Sequence, residues 1–177
     1  MNTRPLTPQD RTELARFFAE IPEADRNFLK DDVQEPQVLE RWLDDEIAVR
    51  LVAVDEEGGR IVAFAALWPG IGRSSHVADL RLIVAHDARR RGLGREMARL
   101  ALAEGLRHGW RKFTVDVPAT HQSTINMFSE IGFRPEALLV DHLQEPDGRM
   151  HDIVSMAHIA DDAWAEMLTT GLADTAR

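Results

Sequence analysis

The chain of 177 residues contains no cysteine and no tyrosine. Without cysteine there can be no disulfide, no thiolate metal site and no cysteine nucleophile, a composition compatible with a reducing cytoplasm. Without tyrosine, no phenol can serve as a proton donor. Positive charge is scarce too: 21 Lys and Arg stand against 30 Asp and Glu, a formal net charge of −9. That balance disfavours a bulk electrostatic grip on nucleic acid. No apolar run approaches ~18 residues, so no membrane span is expected. Met1-Asn2-Thr3-Arg4-Pro5 lacks the apolar core of a signal peptide, so no leader is expected either. Repeats, linkers and low-complexity segments are missing as well. The length suits one domain with a proper core, taken as residues 1–160, followed by a short tail.

What is there can be read in order. Arg4-Pro5-Leu6 predicts a short first strand. Thr7-Pro8-Gln9-Asp10 reads as a helix start, with a threonine cap, proline at the first position and an acid three residues after the cap. Leu14, Phe17, Phe18 and Ile21 follow at helical spacing, and Pro22 ends the helix. Residues 23–32 predict a loop or short turn carrying Phe28 and Leu29. Val38, Leu39, Trp42 and Leu43 predict a second amphipathic helix, with Pro36 near its start.

Strands are expected over 47–54, 61–67 and 76–84, the first two joined by the turn Glu56-Glu57-Gly58-Gly59. The third runs directly into Ala85-His86-Asp87-Ala88 and then Arg89-Arg90-Arg91-Gly92-Leu93-Gly94-Arg95. A helix after Gly94 carries Met97, Leu100, Ala101, Ala103 and Leu106 and stops near Gly109. Phe113, Val115 and Val117 alternate in a further strand. Residues 123–131 predict a helix with Ile125, Phe128 and Ile131 on one face. Strands over 137–143 and 150–156 form a closing hairpin, and a last helix bears Trp164, Met167 and Leu168. The resulting fold class is mixed α/β of the α+β type. It has a mostly antiparallel sheet of about seven strands, a central parallel βαβ crossover, and helices on both faces.

The crossover begins with a strand, a basic glycine-containing turn and a helix. The first amides of a helix lack intrahelical partners, and the dipole there is positive. Two glycines let the backbone approach a ligand, and arginines add charge-assisted contacts. The stretch therefore reads as a cradle for a phosphorylated small molecule. A dinucleotide fingerprint does not fit, because Met97 stands where a third glycine belongs and no second βαβ half follows. A P-loop does not fit for want of a Lys-Ser/Thr pair.

These residues resemble the signature of the GNAT superfamily of acyl-CoA-dependent N-acyltransferases. Arg89, Gly92 and Gly94 match its Arg/Gln-x-x-Gly-x-Gly/Ala motif, Val84 its preceding valine, and Gly132-Phe133 its later Gly-Phe. The resemblance spans roughly residues 3–158. It implies an enzyme that moves an acetyl group from acetyl-CoA directly to an amine, with no covalent intermediate and no metal. The amides of Arg90, Arg91, Gly92, Leu93, Gly94 and Arg95, with Arg89, would hold the pyrophosphate. The backbone of Leu82, Ile83 and Val84 would hold the pantetheine in a splay between two strands, with the acyl carbonyl near the amide of Ile83. The acceptor amine would enter from the N-terminal helices and the final hairpin. A homodimer is an expectation at family level.

Three positions depart from the family. The common turn proline is His86. The common asparagine is His121, with Asn126 one helical turn on. The tyrosine that protonates the CoA thiolate is Phe128. Asn126 and Ser129 are the polar groups left on that helix for the cofactor, and Ser129 or water for the proton. A non-catalytic acyl-CoA-binding module is the alternative that the missing tyrosine suggests.

A base for the acceptor should lie on the strand before Val84, and Asp79 and His76 are the candidates there. Alternation places Asp79, Arg81 and Ile83 on one face and His76, Ala78, Leu80, Leu82 and Val84 on the other, unless a bulge changes the phase. Asp79 could instead simply pair with Arg81. Asp31, Asp32, Glu35, Glu40, Asp44, Asp45 and Glu46 read as a solvated face or as an attraction for a cationic acceptor. Asp141-His142 and His151-Asp152 flank the closing turn, where His142 is expected opposite His151 or Asp152. A zinc site there would need further ligands.

Overall fold

The computed structural model describes residues 1–26, 29–55, 58–145 and 147–160. The expected C-terminal helix with Trp164, Met167 and Leu168 lies outside the described residues, as do Phe28 and the turn acids Glu56 and Glu57. The strands are β1 (Asn2–Pro5), β2 (Val49–Val54), β3 (Ile61–Pro69), β4 (Val77–Val84), β5 (Lys112–Pro118), β6 (Arg134–Gln144) and β7 (Met150–Ile159). The α-helices are α1 (Arg11–Glu20), α2 (Glu23–Arg26), α3 (Pro36–Asp44), α4 (Leu93–Arg107) and α5 (Gln122–Glu130). One seven-stranded sheet runs β1-β2-β3-β4-β5-β7-β6. Among the described residues its only parallel neighbours are β4 and β5, so the expected mixed sheet with one crossover is the observed fold. No helix among the described residues is long and apolar enough to cross a membrane.

The two faces of the sheet are covered by different helices. On one face α4 presses Met97, Ala98, Ala101, Leu102 and Gly105, all buried, onto the strands. Gly105 is helical and costs about 1 kcal/mol against alanine in propensity. A Cβ there would stand 2.5 Å from the Phe113 ring and 2.9 Å from Leu67, so only glycine permits this approach. Leu100, expected on this face, is 40% exposed, because the buried stripe is centred on Ala101 and Gly105 and leaves it at the edge. On the other face Phe18 of α1 and Trp42 of α3 pack on Phe64 of β3, with Trp42 stacked at 5.5 Å. Trp42 and Phe18 are thus core residues.

Local chemistry explains several boundaries. The Thr7 amide and hydroxyl both donate to the Asp10 carboxylate at 2.9 Å, and Arg4 donates two bonds to it. β2 starts at Val49 rather than 47, because the Asp45 carboxylate accepts from the Ile47 amide at 2.7 Å and the Ala48 amide at 3.4 Å. Ile47 is accordingly outside the strand and exposed. Two residues past the end of α5, Gly132 takes φ 95°, where a Cβ would meet the His158 ring at 2.8 Å. This is the physical requirement behind Gly132-Phe133, since Phe133 then turns inward onto Phe128, 5.1 Å away.

Candidate active site

The parallel pairing of β4 with β5 is short. Val77, Ala78 and Asp79 pair with Lys112, Phe113 and Thr114, and then the strands part. β4 stays paired with β3 as far as Val84, and β5 stays paired with β7 as far as Pro118. Leu80, Leu82 and Val84 thus turn their backbone N–H and C=O groups to a wedge-shaped gap, whereas those of Ile83, expected there too, face β3, as the Ala85 amide does in donating to the Val62 carbonyl at 2.9 Å. No bulge interrupts the β3–β4 register, so the alternation along β4 holds throughout. Leu82 and Val84 share the α4 face yet are only half-buried, whereas Leu80 at the closed end is buried. The wedge accounts for that change in burial.

Over the open end lies the turn. Ala85 enters a single 3-10 turn, His86–Ala88, which starts on the histidine that stands where the family commonly has proline. Arg90 then takes φ 62° and Gly92 φ 80°, and α4 begins at Leu93, earlier than expected. The first helical bond is donated by the Glu96 amide to the Gly92 carbonyl at 3.0 Å. The amides of Leu93, Gly94 and Arg95 therefore have no intrahelical acceptor. Leu93 itself is buried, so it offers its amide alone. A Cβ on Gly94 would stand 3.4 Å from the Met127 sulfur, 3.7 Å from Val84 and 3.9 Å from Leu82. Gly94 thus keeps the wedge open where its floor is formed by β4 and α5.

The basic residues divide their work. The Arg89 Nε donates to the Val84 carbonyl at 2.9 Å, and its other end pairs with Asp25 of α2 at 2.6 Å. Its guanidinium thus fastens the turn to the strand. Arg95 pairs with Glu130. Arg90 and Arg91 are exposed at the mouth. The nearby carboxylate of Asp87 is neutralised by Arg60 at 2.5 Å, which holds it below the usual carboxylate range. An anion bound at the helix start would not face a bare carboxylate there.

On α5 the expected groups are turned to their own helix. Asn126 accepts from Gln122 at 2.8 Å, and the Ser129 hydroxyl donates to the Ile125 carbonyl at 2.9 Å. Phe128, where the family has tyrosine, is buried against Phe133. Met127 is the α5 side chain that reaches the wedge.

At the closed end, on the face of α1 and α3, charged groups converge. Asp79 is the last β4 residue paired with β5, and its carboxylate lies 3.4 Å from both Lys30 and the Arg81 Nε. The pairing expected of Asp79 with Arg81 is therefore present, alongside a second partner. Asp116, on the same face of β5 and beyond the last β4 pair, holds Lys30 at 2.8 Å. Burial would raise the Asp116 carboxyl, but the bond and charge of Lys30, with Ser155 and His142, lower it on balance. His76 lies before β4, exposed, and its carbonyl accepts the Arg111 and Lys112 amides at 2.8 and 3.1 Å. It is on the far side of the paired residues from the wedge, so the structure brings Asp79 to the site and leaves His76 out.

Asp116 is not marked by the apolar alternation that identifies its strand. An acid alternating with Phe113, Val115 and Val117 was the available signal. Arg81 also acts here: it binds the Leu29 carbonyl at 2.9 Å and Asp31 at 2.5 Å, and lies 4.2 Å from the Trp68 ring centre. The acidic run is consequently split. Asp31, Glu40 and Asp45 make ion pairs with arginines, while Asp32, Glu35, Asp44 and Glu46 face solvent. In the hairpin, Leu143 pairs with His151 and Leu139 with Ile153, so three residues including His142 bulge opposite Asp152. His151 instead meets Glu145 at 2.5 Å.

The comparisons agree with this geometry. The model of the "Acetyltransferase (GNAT) family" matches residues 13–133. The structure superposes on ribosomal-protein-alanine N-acetyltransferase from Brucella melitensis with a TM-score of 0.78 at 23% identity, covering 90% of this chain and all of that one. Spermidine N-acetyltransferase from Vibrio cholerae, solved with CoA and spermine, gives 0.74 at 17% identity over 89% and 94%. A mycothiol acetyltransferase from Mycobacterium sp. (strain JLS) is 45% identical over 58 residues, which is 33% of this chain and only 19% of that protein. The wedge, the glycine-lined helix start and the family match over most of the fold lead to one assignment: the chain belongs to the GNAT acetyltransferase family.

Proposed function

We propose that the protein transfers the acetyl group of acetyl-CoA directly to a primary amine. The observation that carries this reading is the wedge. A parallel strand pair stops after three residues, exposing the backbone groups of Leu80, Leu82 and Val84 beside a helix start kept clear by Gly94. An extended amide-containing arm can pair with that edge as a strand would, and a pyrophosphate can take the free amides of Leu93, Gly94 and Arg95. The thioester then reaches the closed end, where Asp79 and Asp116 stand.

There the chain's own groups do the following. The carboxylates attract an ammonium and accept its proton, directly or through water. The freed amine attacks the thioester carbonyl, whose oxygen is polarised by the wedge-facing amide of Leu82, since the Ile83 amide is turned to β3. The thiolate leaves and takes a proton from solvent, since Phe128 carries no hydroxyl and that of Ser129 donates to a carbonyl. The absence of cysteine suits a cytoplasmic enzyme.

Calorimetric titration with acetyl-CoA, followed by thiol release over a panel of amines, tests the reading. Binding with turnover of at least one amine is the expected result. Binding without turnover of any amine would make the chain an acyl-CoA-binding module, and no binding would sink the proposal.

A further inference from the structure

The charged group between Asp79 and Asp116 is itself a primary amine. Lys30 lies 3.4 Å from one carboxylate and 2.8 Å from the other, and so spans the point where β4 and β5 part. It is held there from both sides. The carbonyl of Leu29 and the carboxylate of Asp31 are both bound by Arg81 of β4, at 2.9 and 2.5 Å. Between these anchors Lys30 adopts φ 64°, a left-handed backbone that L-residues seldom keep without a tether. Its side chain is thereby delivered across the sheet onto the two acids. The chain has just one other lysine, Lys112, which pairs with Glu136 at 2.8 Å, on the closed side of the strand pairing.

Resting on the acetyl-CoA reading above, we propose that Lys30 is an acetyl acceptor of its own protein, modified by acetyl-CoA bound in the same chain. The ammonium loses one proton to Asp116 or Asp79 and thence to water. Its nitrogen attacks the thioester carbonyl, the C–N bond forms, and the C–S bond breaks. The thiolate takes up one proton and the second nitrogen-bound proton goes to solvent, leaving an acetamide on Lys30 and free CoA. The tether replaces a diffusional encounter by a fixed one, which raises the effective concentration of the amine.

Two lysines make the test direct. The purified protein is incubated with acetyl-CoA and its peptides are followed by mass spectrometry, while acetyl-CoA binding is measured separately by calorimetry. Lys30 should gain one acetyl group at least tenfold faster than Lys112. The rate should not change with protein concentration, and excess free CoA should slow Lys30 without slowing Lys112. Asp116→Asn should slow Lys30 at least tenfold with acetyl-CoA affinity unchanged. Equal rates at the two lysines, no label on Lys30 while acetyl-CoA binds and external amines turn over, or a rate rising with protein concentration would each overturn the inference and leave the enzyme reading standing. Failure to bind acetyl-CoA would overturn both.

Discussion

The two ends of the β4–β5 wedge are built by different means. The open end is backbone: a turn with Arg90 and Gly92 at positive φ, a helix start, and a glycine whose missing side chain is the site's main feature. The closed end is side chain: Asp79, Asp116, Lys30, Arg81 and Asp31 in one chain of ion pairs. Backbone recognition needs a local run of residues and tolerates any neighbour. Side-chain recognition draws on positions 30, 79 and 116, which only the folded sheet brings together. The first suits a ligand shared across a family, and the second suits what distinguishes one member.

The largest break in that comparison should come from Gly94→Trp. An indole at a position already 3.4 Å from Met127 fills the wedge, so acetyl-CoA affinity should fall at least 100-fold, read by calorimetry, with a stability loss of no more than about 1–3 kcal/mol that leaves the protein folded. Next, Asp116→Asn and Asp79→Asn should each lower kcat/KM for amines by roughly 10- to 100-fold while acetyl-CoA Kd stays within about twofold. A matching loss of acetyl-CoA affinity would merge the two ends into one site. Smaller is Arg89→Ala. If the open end binds through its backbone, this change should weaken acetyl-CoA only a few-fold, because the guanidinium is committed to Val84 and Asp25.

The smallest expected effect lies away from both ends and calibrates them. Asp10 is held near a pKa of about 2, first by the hydrogen bonds from Arg4 and also by Thr7. A folded-state pKa below the unfolded value adds stability that is complete above the ordinary carboxylate range and is lost as pH falls toward 2. Urea unfolding should show a loss of about 2 kcal/mol across that window. Asp10→Asn should abolish that part of the dependence without altering acetyl-CoA affinity.

The legibility of the site follows the same division. Val84, Arg89, Gly92 and Gly94 sit within eleven consecutive residues, so local pattern alone placed the turn and the helix behind it. The crossover, the hairpins and Gly132-Phe133 were legible for the same reason. The role of Arg89 was not, since its partners Asp25 and Val84 become neighbours only on folding. Asp116 and Lys30 are not legible in the sequence, because neither stands out in its own segment and their contact joins residues 86 positions apart. Asn126 and Ser129 carried the right chemistry, but helical geometry turns both onto their own helix. The start of β2 shifted by two residues because an Asp45 side chain outbid the strand for two amides.

The order of strands has a consequence for how the molecule is made. β7 comes after β6 in sequence but lies between β5 and β6 in the sheet, pairing with β5 from Lys112 to Pro118. A nascent chain emerges at roughly 5–20 residues per second, so for several seconds β5 has a bare outer edge. An uncovered edge of that kind invites pairing with other chains. The β6–β7 hairpin can form by itself within microseconds, and it then docks as a unit and covers the edge. A ribosome stalled before residue 150 would therefore carry the glycine turn already synthesised but no wall on the β5 side to complete the wedge. On the proposed reading, competence to bind acetyl-CoA waits for β7.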